Sequence, residues 1–225
     1  MPSNASRVEI NQFNNNREKL KSIADNYKLK YDSLYGEFES SVSGGNPIGI
    51  GGKRLKRVWS GIFKGTQNKQ YSAQISFVIN PEKQCLDIGF YFGRASSRRL
   101  DVKDRRILEN QQYQLGLILS NEINCQEELR NIYNSLFDYG FQAVSKGRRI
   151  NPEEWVKAIA EEPSHCQITK SIYVNSEDYI DPTTIDLYVS MIIRLMNPLP
   201  SLVGNNLKQV KRNYKTLTAE QRAKQ

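Results

Sequence analysis

Histidine is almost missing from this chain: His165 is the single one in 225 residues. Chemistry that needs a histidine pair, such as an HExxH zinc site or a two-histidine metal-nuclease centre, is therefore excluded. Cysteine is scarce and odd in number, and Cys85, Cys125 and Cys166 lie far apart. Neither a disulfide framework nor a CxxC metal knuckle fits that spacing, and reduced thiols are expected. Long apolar runs are also lacking. No stretch approaches the roughly eighteen residues of a membrane helix, and residues 1–30 are polar and mixed in charge, without the apolar centre of a signal peptide. A cytoplasmic protein with no membrane partner is the expectation.

What remains is an ordinary globular composition, with 38% hydrophobic, 10% aromatic and 25% charged residues, enough to build a core. One α+β domain over 1–204 with a basic tail over 205–225 is the expected organisation. Lys and Arg total 32 against 24 Asp and Glu, a net charge of +8. The excess is clustered. Lys53, Arg54, Lys56 and Arg57 form one focus; Arg94, Arg98, Arg99, Lys103, Arg105 and Arg106 a second; Lys146, Arg148 and Arg149 a third; and the tail holds a fourth. A single run of this kind is a solvated face, but four together point to a polyanion, with DNA the natural partner.

Periodicity supplies the elements. Val8, Phe13, Leu20, Ile23, Tyr27, Tyr31, Leu34 and Phe38 recur at helical steps through the first forty residues, as one helix or two. The segment 43–52 holds five glycines and a proline in ten residues, which predicts a loop. It is no P-loop, because Pro47 stands where GxxxxGK[ST] needs glycine and Arg54 follows the lysine. Strands are expected at 58–63, 70–79 and 85–93, the last two joined at Asn80-Pro81-Glu82-Lys83 and alternating so that Gln74, Asp87 and Tyr91 share the wetter face. Further strands are expected at 139–144 and 167–174. Helices should run over 101–120 from an Asp101 cap, 126–137, from Asn151-Pro152 through Trp155 and Ile159, and 182–197 from Asp181-Pro182. The fold class is then α+β: a mainly antiparallel twisted sheet of four or five strands flanked by helices.

Catalytic constellations are thin. A restriction-type nuclease sets an acid on one strand and acid-x-Lys on the next, since carboxylates hold the metal while lysine orients water. Asp87 is the best acid, yet no acid-x-Lys lies on the neighbouring strands. Glu37 and Glu39 read as solvated residues. His165 and Cys166, adjacent in sequence, would point to opposite faces of a strand and cannot form a base and nucleophile pair. No cofactor, metal or catalytic residue is expected. The informative group is the glycine loop with Lys53, Arg54, Lys56 and Arg57, followed by Trp59, Tyr71 and Tyr91, and then Arg94, Arg98, Arg99 and Arg105. Amides and cations meet phosphates there, and rings offer stacking planes to bases. The competing reading of Trp59 is a core side chain.

The order of these segments carries a resemblance. Tyr31-Asp32-Ser33-Leu34, the Ser-Gly-Gly-Asn loop, Arg57-Val58-Trp59-Ser60-Gly61-Ile62-Phe63-Lys64-Gly65 and the two strands beyond resemble the McrB-type N-terminal DNA-binding domain of modification-dependent restriction systems, over residues 30–95. The family's loop aromatic has no counterpart between Ser43 and Gly52, and Val58 stands in place of its proline. The resemblance implies base flipping of a modified cytosine into an apolar pocket, with Trp59 and Ile75 at the matching positions. The expected function is thus a DNA-recognition module of a restriction or phage-defence system, working with a separate nuclease or NTPase subunit. The alternative is a restriction-type endonuclease subunit acting through Asp87.

Overall fold

A computed structural model of the chain describes residues 6–35, 38–42, 57–64, 71–93, 101–174 and 180–200. The architecture is α+β, as the periodicities predict. The expected 43–52 loop and the basic tail lie outside the described residues.

The N-terminal periodicity resolves as one helix, α1 (Arg7–Tyr35). It opens on a capping box: the Glu9 amide donates to Ser6 Oγ at 3.3 Å and the Ser6 amide to Glu9 Oε2 at 2.8 Å, which satisfies two of the donors a helix start leaves open. Phe13, Leu20, Ala24 and Tyr31 form its buried stripe, while Lys21–Asp25 and Lys28–Asp32 pair along the wet side. The helix stops earlier than its apolar pattern does. Phe38, which continues the helical spacing, instead opens strand β1 (Phe38–Val42), and its amide donates to Asp32 at 2.6 Å. The Ser40 hydroxyl donates to Asp25 at 2.5 Å, so two carboxylates of α1 hold the strand against the helix that precedes it.

The remaining strands are β2 (Val58–Lys64), β3 (Ala73–Asn80), β4 (Cys85–Phe92), β5 (Gln142–Ser145), β6 (Arg148–Arg149) and β7 (Gln167–Tyr173). They form one sheet in the order β1-β2-β3-β4-β7-β5-β6, with every pairing antiparallel. The count is seven strands, where four or five were expected. The two extra strands are β1, hidden inside a helical spacing, and β6, two residues long and too short to show a period.

Helices α2 (Val102–Cys125), α3 (Glu127–Asp138), α4 (Pro152–Glu161) and α5 (Pro182–Met196) complete the fold. Asp101 caps α2 as expected, and Asn151 with Glu154 forms a full capping box on α4, with Pro152 in its first turn. Asp181 accepts from the amides of Thr183 and Thr184 at the start of α5. These helices gather on one face of the sheet. Tyr27 of α1 stacks on Phe77 at 5.9 Å, Trp155 of α4 meets Phe90 edge-on at 6.0 Å, and Lys170 of β7 donates to the Tyr188 hydroxyl of α5 at 2.7 Å. α2 crosses α4 so closely that a Cβ on Gly116 would lie 2.1 Å from the Ile159 carbonyl oxygen. At the far end of α5 the buried Lys64 amine donates to the carbonyls of Asn197 at 2.9 Å and Leu199 at 3.1 Å, a cation at the negative end of a helix dipole. Among the described residues no helix is long and apolar enough to cross a membrane.

Candidate nucleic-acid interface

The opposite face of the sheet is built differently. Directly paired residues share a face, so the registers define rows running across the strands. One row is Gly61, Ser76, Gly89 and Thr169; beside it run Trp59, Val78, Asp87 and Ser171 on one side and Phe63, Gln74, Tyr91, Gln167 and Val144 on the other. Small side chains thus fill the middle row, with Trp59 in the row on one side and Phe63, Gln74 and Tyr91 in the row on the other.

Two rings lean inward over that row. The Trp59 indole crosses Gly61, whose Cβ, if present, would sit 2.9 Å from Trp59 Cζ2, and its N–H donates to the Ser76 hydroxyl on the next strand at 3.0 Å. The Tyr91 hydroxyl donates to Thr169 Oγ1 at 3.1 Å, on the strand beyond its own. Gly89 admits a close approach of β7, since a Cβ there would lie 2.2 Å from the Ile168 carbonyl oxygen. Both rings are half-buried, each tied by its polar edge to a hydroxyl one strand away. Between Phe63 and Tyr91, Gln74 is 8% exposed and its Oε1 has no hydrogen-bond partner, an unmet acceptor on the same face.

At the strand end beside Trp59, Arg57 bridges to Asp87 at 3.0 Å, and Asp87 also accepts from the Ser171 hydroxyl at 2.6 Å and the Cys85 thiol at 3.6 Å. The acid that a nuclease would need is therefore surrounded by a cation and two donors. Among the described residues, no group of three or more His, Cys, Asp or Glu side chains could hold a metal ion. Burial, with Asp87 as a second cause, pushes the Cys85 thiol above its ordinary pKa. Cys166 is buried, contacts Ser145 and the Glu162 carbonyl oxygen, and is likewise pushed up by burial. Thiols held protonated in this way are poor nucleophiles.

The expected contact residues separate. Trp59, Tyr91, Gln74 and Asp87 share one face, with Arg57 bound to it. Tyr71 and Ile75 have no exposed surface. Ile75 belongs to the row of Phe90 and Ile168 on the helix-covered face, and the Tyr71 carbonyl oxygen accepts from Gln112 Nε2 at 3.2 Å. The fold does not bring these two side chains to Trp59. Arg105 lies on α2 near Glu109 at 3.9 Å. The same helix, through Gln112, holds Gly93 at the end of β4 away from Arg57. Lys53, Arg54, Lys56, Arg94, Arg98 and Arg99 lie outside the described residues. What residue-by-residue reading passed over is the middle row itself. Its signal is glycine inside otherwise regular strands, Gly61 and Gly89, which marks a place where something approaches the backbone closely.

Comparison with protein-family models, with curated proteins and with solved structures finds no match.

Proposed function

We propose that this chain is a DNA-recognition module of a restriction or phage-defence system, and that it reads an unstacked base on the sheet face that carries Trp59 and Tyr91. The observation that carries this reading is the pair Trp59 and Tyr91, two rings on one face, each fixed by a hydrogen bond to the adjacent strand. An anchored ring holds a fixed plane, and anchoring removes the entropy that a free ring would lose on stacking against a base. Arg57 and the net charge of +8 supply the counter-charge that phosphates require. A separate nuclease or NTPase subunit would act on the DNA so recognised.

The test is a binding panel of single-stranded, duplex and methylated or hydroxymethylated duplex DNA, followed by anisotropy. Trp59→Ala should weaken binding by about 1–3 kcal/mol through lost base stacking. No measurable affinity for any of the four DNAs at moderate salt would overturn the proposal.

A further inference from the structure

The row through Gln74 and Tyr91 does not end at Val144. Val144 pairs with Arg149 across the β5–β6 hairpin, so Gln74, Tyr91, Gln167, Val144 and Arg149 lie in one line over five strands. The turn fixes that register. Lys146 at φ 50° and Gly147 at φ 78° are both left-handed, as a two-residue hairpin loop demands, and such a turn leaves no slack for a one-residue slip. Alternation then sends the neighbouring arginines apart. Arg148 pairs with Ser145 and lines an open cleft of about 550 Å³ against α4, together with Lys146, Ile150, Glu154 and Ala158. Arg149 belongs to the face of the two rings. It is exposed, and no ion pair or hydrogen bond engages its side chain among the described residues. Lys146, by contrast, is bridged to Glu162 at 2.6 Å.

We infer that Arg149 is a phosphate contact for a single-stranded nucleic acid lying across the strands from β2 toward β6, its bases on the ring face. Three strand spacings separate Tyr91 from Arg149, about 14 Å along the row. Arg57, at the other side of the platform, is bridged to Asp87 at 3.0 Å. A single strand suits this layout because its bases can lie on a sheet while the backbone passes over the edge, whereas a duplex keeps its bases stacked inside. The inference rests on the nucleic-acid reading above but adds a residue, a strand path and a preference for unpaired substrate.

The experiment measures binding of the full chain to an oligothymidylate of about fifteen nucleotides, as a function of salt, for the wild type, Arg149→Gln, Arg148→Gln and Arg149→Lys. Arg149→Gln should bind about five-fold more weakly near 0.1 M salt and show a log–log salt slope shallower by about 0.7, the value for one lost single-strand phosphate contact. Arg148→Gln, with the same charge change one residue away, should keep the wild-type slope, and Arg149→Lys should restore it. Equal losses from both glutamine variants, or wild-type behaviour of Arg149→Gln, would overturn the inference while binding by the wild type leaves the DNA reading standing. Absence of wild-type binding to this and every other DNA would overturn both.

Discussion

The Trp59 indole N–H donates to the Ser76 hydroxyl at 3.0 Å, and on the way the ring passes over the bare backbone of Gly61. One glycine, one hydroxyl and one ring on two paired strands therefore set where the aromatic plane stands. Tyr91 repeats the device toward Thr169. The site is a property of cross-strand pairs, not of any one segment.

Ser76→Ala separates the ring's position from its presence. It removes the acceptor for the indole while leaving the sheet pairing intact, so stability should fall by only about 0.5–1.5 kcal/mol, the net worth of one hydrogen bond. DNA affinity should drop less than in Trp59→Ala, and indole fluorescence should report a more mobile ring. An Ser76→Ala protein binding as poorly as Trp59→Ala would mean that the ring acts only when fixed.

Much of the fold is legible in the sequence because its local signals agree with its tertiary ones. The Asn151-Pro152 and Asp181-Pro182 starts and the Asp101 cap form where their chemistry places them, and the period-two strands expected at 70–79 and 85–93 form as Ala73–Asn80 and Cys85–Phe92. β1 is not legible, since Phe38 sits at a helical spacing and the strand exists through Asp32 and Asp25, contacts that periodicity does not see. The site is legible in part. Trp59 and Tyr91 stand out as aromatics near cations, but the facing of Ile75 and Tyr71 follows from register and from the Gln112 contact, which no single strand reveals. Arg149 stands in the third basic focus of the sequence, but its place on the ring face follows only from its pairing with Val144.

Gly116→Ala tests the α2–α4 crossing, remote from the ring face. The added Cβ would meet a backbone oxygen, that of Ile159, at 2.1 Å, and Pro163 Cβ at 2.9 Å. Neither is a flexible side-chain end, so the helices must separate. A loss of about 1–3 kcal/mol, typical of overpacking, is expected in urea unfolding, while DNA affinity of the protein that remains folded should be unchanged.

The attachment of β1 should titrate. Hydrogen bonds from Lys21 at 2.7 Å and from Ser40 at 2.5 Å hold the Asp25 carboxyl below its ordinary 3.8. A carboxyl depressed in the folded state adds stability above its unfolded pKa, and that stability is lost as pH falls through the folded one. The urea midpoint should therefore decline as pH drops below about 3.8, and Asp25→Asn should flatten part of that decline. An acid limb of the same steepness in the variant would remove Asp25 from the account.

Gly61→Ala is the most direct test of the ring's seat. The new Cβ would lie 2.7 Å from the Ile75 carbonyl oxygen and 2.9 Å from Trp59 Cζ2. The carbonyl belongs to the paired strand β3 and cannot yield without loosening the ladder, whereas the indole can swing outward at the expense of its bond to Ser76. Both responses destabilise, by about 1–3 kcal/mol in total, but they differ in what DNA binding reports. If the indole moves, Gly61→Ala should lose base-dependent affinity much as Trp59→Ala does and keep its phosphate-driven salt slope, because the charges around Arg57 are untouched. If the ladder moves instead, amide exchange should speed up along β2 and β3 and the salt slope should change with it. Anisotropy titrations at several salt concentrations, combined with hydrogen exchange on the same protein, distinguish these results. Full retention of affinity with a perturbed ring would show that the Trp59 plane is not where the base stacks.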